Sequence, residues 1–230
     1  MRVSVLLACW NAERYVGDAV RSILEQEPAP AEIIAVDDGS TDGSRVVLRS
    51  FAPPVKLLTQ PNRGVAAALN LAAAHATGEA IAFLDADDLW LPGKLAVQCS
   101  ALSAEPDLDG VFGHVRAFLS PDLPPDEGAG LRINEDPQPG YTKSTLIIRR
   151  AAFDRIGAFD EARRGADFIA WYARTLSQGF RWKMLPDLVC RRRIHSGNMG
   201  RRDRTRQHND YLLTMKDILD RKRIARGDGA

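Results

Sequence analysis

Short apolar runs alternate with helical patterns through the first half of the chain, the signature of a parallel sheet covered by helices. Val3 to Ala8 is a continuous apolar run and reads as a buried strand. From Arg14 to Glu27, Val16, Ala19, Val20, Ile23 and Leu24 recur at helical spacing, and Pro28 and Pro30 stop that helix. Ile33 to Val36 is a second strand, followed by a helix over Asp42 to Phe51, a strand at Val55 to Leu58, a helix from Val65 to Ala76 closed by Gly78, and a strand at Ala80 to Leu84. A helix over Leu91 to Ala104 and a strand over Gly110 to Phe118 follow. Ser120 to Gly140 then holds five prolines and three glycines, which predicts a loop, and compact folds reserve loops of that length for lids and binding. Beyond it the pattern predicts a strand at Lys143 to Ile148, a helix at Asp167 to Gln178, a strand at Phe180 to Leu185 and a long polar-faced helix from Arg202 to Arg226.

Open parallel sheets bind ligands at the carboxyl ends of their strands. The polar residues just past strands one, two and four are Asn11, then Asp37 and Asp38, then Asp85, Asp87 and Asp88, and they are predicted to line one crevice. The segment from Ala82 to Pro92 places three carboxylates at a strand end, where burial is costly without neutralising cations. Asp85 and Asp87, two apart in an extended backbone, can reach different parts of one ligand, and hard oxygen donors suit Mg²⁺ or Mn²⁺ carrying a diphosphate. The plainer reading is a loop of turn-forming acids, with Asp88 capping the next helix. In Ala35 to Asp42 a helix cap accounts for Ser40 or Thr41 and leaves both aspartates over. A carboxylate there can accept from the imide N–H of uracil or from a ribose hydroxyl.

The chain has 230 residues, 45% of them hydrophobic and 27% charged, the composition of an ordinary globular protein. That length predicts one large domain or a domain with an appendage. Cys9, Cys99 and Cys190 are widely spaced, so neither a disulfide framework nor a cysteine zinc site is expected, and a reducing compartment is. The first residues read as a strand rather than a signal peptide, and no run approaches the roughly 20 apolar residues of a membrane span. The expectation is a cytoplasmic protein, at most peripheral to a membrane. Charge is polarised: residues 1–115 carry 8 Lys and Arg against 15 acids, residues 116–230 carry 23 against 15. Arg191 to Arg206 holds seven arginines and one acid, Asp203, as a solvated face, a nucleic-acid patch or a clamp for a phosphorylated small molecule would.

Residues 3 to 92, including IIAVDDGSTDGS and NRGVAAALNLAAAHATGEAIAFLDADDLWLP, resemble the family 2 glycosyltransferases in order, spacing and flanking residues. Further resemblance lies in the Lys143 to Arg150 strand, in Phe153 to Asp160, in Gly165-Ala-Asp167 and in Arg192-Arg-Ile-His195. The resemblance implies the GT-A fold, an α/β, Rossmann-like, mostly parallel sheet flanked by helices with an acceptor-side region at the C-terminal end. Residues 1–118 would be the nucleotide-sugar half of a single domain, 119–140 a variable loop or lid, and 141–230 the half holding acceptor and base. It implies a metal-dependent, inverting hexosyltransferase moving sugar from a nucleotide diphosphosugar, UDP-sugar favoured, to a hydroxyl. The acceptor is left open among glycan, lipid-linked sugar, peptide and small molecule. By the same resemblance Asp38, Asn11 and the backbone at Ala8 bind the nucleotide base. Asp85 faces ribose and metal, and Asp87 holds Mn²⁺ or Mg²⁺ on the diphosphate. Asp167 is the general base, although Ala166 stands where relatives carry Glu. His195 completes the metal shell or bonds the diphosphate, and Arg192 or Arg193 gives it bidentate contacts.

Gln178-Gly-Phe-Arg-Trp182 also fits the Q-x-x-R-W string of processive relatives such as cellulose and hyaluronan synthases. It falls only 11 residues after Asp167, where relatives place it considerably later, so Phe180 and Trp182 read as alternating strand residues. Sugar nucleotidyltransferases need a glycine-rich basic stretch after strand one, and Cys9-Trp-Asn-Ala-Glu-Arg is not one. No G-x-G-x-x-G follows a strand, which makes a nicotinamide dehydrogenase a poor reading. A catalytically inactive nucleotide-sugar-binding protein remains as the alternative. Nucleic-acid binding is disfavoured, because the arginines lack interleaved aromatics and the first half would repel phosphates.

Overall fold

A computed structural model of the chain describes residues 1–124, 126, 133–134, 136–163 and 165–198; the helix expected over Arg202 to Arg226 lies outside the described residues. Among those residues nine strands form one mixed sheet. They are β1 (Val3–Cys9), β2 (Glu32–Asp38), β3 (Val55–Gln60), β4 (Ala80–Phe83), β5 (Leu89–Trp90), β6 (Gly110–Leu119), β7 (Gln138–Pro139), β8 (Ile147–Arg149) and β9 (Trp182–Ile194). The order is β3-β2-β1-β4-β8-β6-β9-β5, with β7 on β6. β3, β2, β1 and β4 are parallel, β8 runs antiparallel to β4 and β6, and β9 lies parallel to β6.

The helices are α1 (Val16–Leu24), α2 (Ser44–Arg49), α3 (Val65–His75), α4 (Lys94–Ala104), α5 (Arg150–Ile156) and α6 (Asp167–Ser177). The sheet's period of two divides the core into two layers. Val5, Leu7, Ile33, Ala35, Ala80 and Ala82 face the layer of α1, α2 and α4. Leu6, Ile34, Val36, Ile81 and Phe83 face the layer of α3, α5 and α6. Burial on both faces is why β1 and β2 read as unbroken apolar runs. In α1 the stripe Val16, Ala19, Val20 and Ile23 is entirely inaccessible, and this packing fixes the helix against the sheet.

Several elements depart from the sequence reading. Lys143–Thr145 is a 3₁₀ turn, and the strand starts at Ile147. α4 starts at Lys94 rather than Leu91, because Pro92 and Gly93, the latter at φ 83°, break the chain after β5. α5 and the two short strands β5 and β7 were not expected. β9 runs 13 residues, through Pro186, to Ile194. Its pairing with β6 shifts register between Phe112 and Val115, and the irregularity accommodates a proline that cannot donate to the ladder. The long β9 carries Arg191 to Ile194 back beside β5, which pairs Leu89 with Arg191. Phe180 is buried and Trp182 donates its indole N–H to Thr175 Oγ1 at 3.0 Å, in keeping with structural roles for both.

Candidate active site

The ends of β1 and β2 are tied to one another. Asn11, the single non-glycine residue at positive φ among those described (49°), accepts from Thr41 N at 2.8 Å, and its own N–H donates to Ser40 Oγ at 3.0 Å. Ala8, half-buried, sits on β1 opposite Val36. Gly39, at φ 72°, lets the turn pass so close to Asn62 that a Cβ there would lie 2.7 Å from its backbone nitrogen. The two aspartates divide the labour. Asp37 is inaccessible and ion-paired with Arg45 at 2.7 Å. Asp38 accepts from Gln60 Nε2 at 2.7 Å and from the backbone N–H of Arg63 and Gly64, each at 2.8 Å, which shapes the turn leading into α3.

The acidic loop after β4 is held by residues distant in sequence. Asp88 is buried; its Oδ1 accepts from Arg193 N and its Oδ2 from Ser144 Oγ, both at 3.0 Å. It therefore ties β9 and the 143–145 turn to the loop rather than capping α4. Burial, with Asp87 and Asp85 beside it, pushes its carboxyl well above the ordinary aspartate value. Asp85 is half-buried, donates its N–H to Ser144 Oγ at 3.2 Å, and its carboxylate accepts no hydrogen bond from the described residues. Burial raises its pKa, with Asp87 and Asp167 adding to the rise and Lys143 and Arg192 opposing it.

Asp87 meets the end of β9. Its Oδ2 lies 2.9 Å from His195 Nε2 and 3.1 Å from Asn198 Nδ2. His195 Nδ1 accepts from Gly197 N at 3.1 Å, so Nε2 carries the proton donated to Asp87. The ring is buried and packs 4.4 Å from that of Tyr15.

The period of two along β9 separates neighbouring arginines. Arg192 is exposed and acts on Asp85. Arg193, expected with it at the diphosphate, is instead buried. Its guanidinium donates to the Asp87 carbonyl at 3.0 Å, reaches Ser120 and Asp18 at 3.4 Å, and lies 4.9 Å from the Tyr15 and Phe118 rings. Its donors are occupied in holding the acidic loop and α1 against β9. Arg191 lies over Phe118, at 4.2 Å; the arginines from Arg201 to Arg206 lie outside the described residues.

Asp167 is the first residue of α6; its Oδ2 accepts from Lys143 Nζ at 3.0 Å, with both side chains largely buried. Burial by itself would lower the Lys143 pKa, but Asp167, Asp85 and Asp87 together raise it above the ordinary lysine value. The fold thus brings together Asp85, Asp87, Asp167, Arg192 and His195, with Asp38 and Asn11 at the ends of the neighbouring strands. Sequence reasoning missed Lys143, Ser144 and Asn198. The Lys143 pattern signalled only a strand, and Asn198 carried no signal beyond its place in the loop after His195.

The donor chemistry fits a divalent cation. Asp85 offers a carboxylate without a donor from the described residues, in a cluster rich in negative charge, and Asp87 with His195 stands beside it. Among the described residues no three His, Cys, Asp or Glu side chains are gathered at ligand spacing, so protein groups alone do not close a shell. No helix among them is long and apolar enough to cross a membrane.

Residues 4–157 match the family model described as glycosyl transferase family 2. The chain belongs to that family. A glycosyltransferase of Nostoc sp., named as uncharacterized, is 39% identical over 142 residues, covering 59% of this chain and 44% of its own. Among solved structures, TarS 1-349 of S. aureus superposes with a TM-score of 0.70 at 22% identity, covering 95% of this chain and 64% of that one. It has also been solved with UDP-GlcNAc and with UDP. The mannosyltransferase PcManGT of Pyrobaculum calidifontis, in complex with GDP-Man and Mn²⁺, gives a TM-score of 0.71 at 24% identity, again covering 95% of this chain and 64% of its own. The two solved structures share this family 2 chain's fold, the GT-A arrangement of sheet and helices, and the chain spans 44% of the Nostoc relative and 64% of each solved chain.

Proposed function

We propose that this family 2 chain is an inverting glycosyltransferase, metal-dependent, that moves a sugar from a nucleotide diphosphosugar to a hydroxyl acceptor, with a UDP-sugar as the favoured donor. The observation that carries the reading is the half-buried Asp85 carboxylate, which takes no hydrogen bond from the described residues and sits among Asp87, Asp167, Lys143 and Arg192. Such a group is poorly matched by the protein alone and well matched by a cation bearing a diphosphate. The UDP-bound TarS and the GDP-mannose-bound, Mn²⁺-bound PcManGT support the donor class.

In this reading Asp85 and Asp87 would hold Mn²⁺ or Mg²⁺, with His195 keeping Asp87 oriented or joining as a ligand. When bound, the ion offsets negative charge on the departing diphosphate. Arg192 donates to the same phosphates from the rim of the crevice. Ala8, Asn11 and Asp38 would bind the base, Asp38 from the end of β2 beside the turn of Asn11. Asp167 accepts the acceptor's proton as its oxygen attacks the anomeric carbon, and one base serving a single displacement gives inversion. The acceptor would be shaped by residues 119–140 and the C-terminal region.

The test is a melting-temperature screen of UDP, GDP and TDP and their sugars with and without Mn²⁺, followed by donor hydrolysis on each stabilising ligand. Metal-dependent stabilisation by one nucleotide with donor turnover is expected. Stabilisation without turnover selects the inactive binding protein, and no stabilisation by any of them defeats the reading.

A further inference from the structure

His195 stands just past β9, and its single bond from Nε2 to Asp87 Oδ2, at 2.9 Å, fixes one point of the ring without fixing its plane. The plane is set by what packs against it. Tyr15, half-buried, holds its ring 4.4 Å from the imidazole, tilted by 46°, and 4.9 Å from the Arg193 guanidinium, the group that donates to the Asp87 carbonyl. The Tyr15 backbone is tied down at the start of α1, donating to Ala12 O at 2.9 Å and accepting from Ala19 N at 3.1 Å. A tyrosine on a fixed backbone still keeps two side-chain torsions, so its ring could swing. The phenol removes that freedom. Its hydroxyl donates to Asp122 Oδ2 at 2.8 Å, and Asp122 also accepts from Arg14 at 2.7 Å and from the Ser120 hydroxyl. Ser120 in turn donates its N–H to Ile194 O at 2.9 Å, beside His195 itself. Tyr15, the 120–122 turn and the end of β9 thus form a circuit of contacts that begins and ends at His195.

We propose that Tyr15 is a positioning residue: anchored by Asp122, its ring holds the His195 imidazole in the orientation that keeps Nε2 on Asp87. The consequence for the reaction rests on the reading of Asp87 as a metal ligand; the hold on His195 does not. A carboxylate already fixed in one rotamer binds a cation without first losing torsional freedom, and outer partners of this kind are worth about 10–100-fold in metal affinity. Asn198 Nδ2 bonds the same Asp87 oxygen at 3.1 Å, so His195 shares the task, and loss of Tyr15 weakens binding of the ion without abolishing it. Among the donors on Asp122, Arg14 is exposed and its charge is screened by solvent. The phenol is therefore the donor through which the anchor acts. The first turn of the 119–140 segment is by this route built into the donor side of the crevice, since Ser120 and Asp122 support the ring that supports His195.

The experiment follows the His195 Nε2 proton by NMR in ¹⁵N-histidine-labelled protein without metal, its signal assigned with His195→Gln. Slow exchange with solvent is expected in wild type, quickening about ten-fold in Tyr15→Leu. Asp122→Ala, which removes a side chain bonded to neither His195 nor Asp87, should quicken it about three-fold, the loss of one hydrogen bond. Tyr15→Phe keeps the ring, should match Asp122→Ala, and combined with it should add nothing, because the two changes break the same bond. Fast exchange already in wild type, or unchanged exchange in Tyr15→Leu, overturns the proposal. Titration of the UDP complex with Mn²⁺, read from the free-ion EPR signal, tests the consequence. Tyr15→Leu should bind Mn²⁺ about ten-fold more weakly, with metal-free UDP affinity within about two-fold of wild type and Tyr15→Phe recovering most of the loss. Equal weakening of metal-free UDP binding marks a merely structural role and likewise overturns the proposal. If Tyr15→Leu does not fold, Asp122→Ala carries both measurements. A wild type that binds no Mn²⁺ would defeat the metal reading, while the exchange rates would still decide the role of Tyr15.

Discussion

Replacing Lys94 by methionine should stabilise the protein at neutral pH and lose that advantage in alkaline solution. Lys94 opens α4 with 1% of its surface exposed. Its ammonium donates to Gln98 Oε1 and to the Thr145 carbonyl and lies 4.7 Å above the Trp90 ring. Loss of hydration brings its pKa from 10.5 down to about 7, against a smaller upward pull from the Cys190 and Cys99 sulfurs. The unfolded chain has an ordinary lysine, so between pH 7 and 10.5 it binds more protons than the folded chain, and stability rises with pH across that window. Below pH 7 both states are protonated and the full penalty applies, on the order of 5 kcal/mol for a difference of about 3.5 pH units. Methionine removes that penalty and leaves Gln98 Oε1 without its donor, which costs about 1–3 kcal/mol. The variant should therefore gain about 2–4 kcal/mol at pH 6.5, match wild type near roughly pH 9 and fall slightly behind at higher pH. Urea midpoints of both proteins across pH 6.5 to 10 provide the assay, since groups that titrate alike in both cancel in the difference. A stability difference that stays constant over that range would refute the reasoning.

Glu32, 3% exposed, accepts from Ser4, Lys56 and Thr77, and although burial raises its pKa these partners outweigh it and hold the carboxyl at about 2. Its stabilisation is complete above the ordinary value of 4.5 and is lost as pH falls toward 2, so Glu32→Gln should cost about 3 kcal/mol at pH 7 and about half that at pH 3 by thermal denaturation; an equal cost at both would count against it. Asp167→Asn should abolish transfer by at least about a hundred-fold while nucleotide binding survives in calorimetry, and Asp87→Ala should remove the Mn²⁺ dependence of that binding. Arg192→Ala should weaken binding of UDP about ten-fold with an unchanged melting point. Arg193→Ala, whose guanidinium is enclosed, should instead lose about 2–4 kcal/mol of stability, and equal behaviour of the two arginine variants would contradict their separation along β9.

Local pattern was sufficient for the first half of the fold. The apolar runs at Val3 to Ala8 and Ile33 to Val36 could satisfy their backbone and their side chains at once only as strands buried on both faces, and α1 declared itself by a single stripe. The acids after β2 and β4 were visible in sequence because carboxylates at the ends of buried strands are rare without a partner. Tertiary structure decided who those partners are. The Asp38 donors lie 22 to 26 residues away, those of Asp88 lie 56 and 105 residues away, and Lys143 meets Asp167 across 24. Periodicity reports which face of its own element a residue occupies and carries no information about which element packs there. So it could not tell that Arg192 stays exposed while Arg193 is enclosed beside Tyr15, nor that a turn fixed by Trp90, Lys94 and Gln98 would deliver an ammonium to the acid at the head of α6. The placement of the two arginines depends on β9 lying between β6 and β5 and pairing with both, a long-range arrangement settled by the register of the sheet.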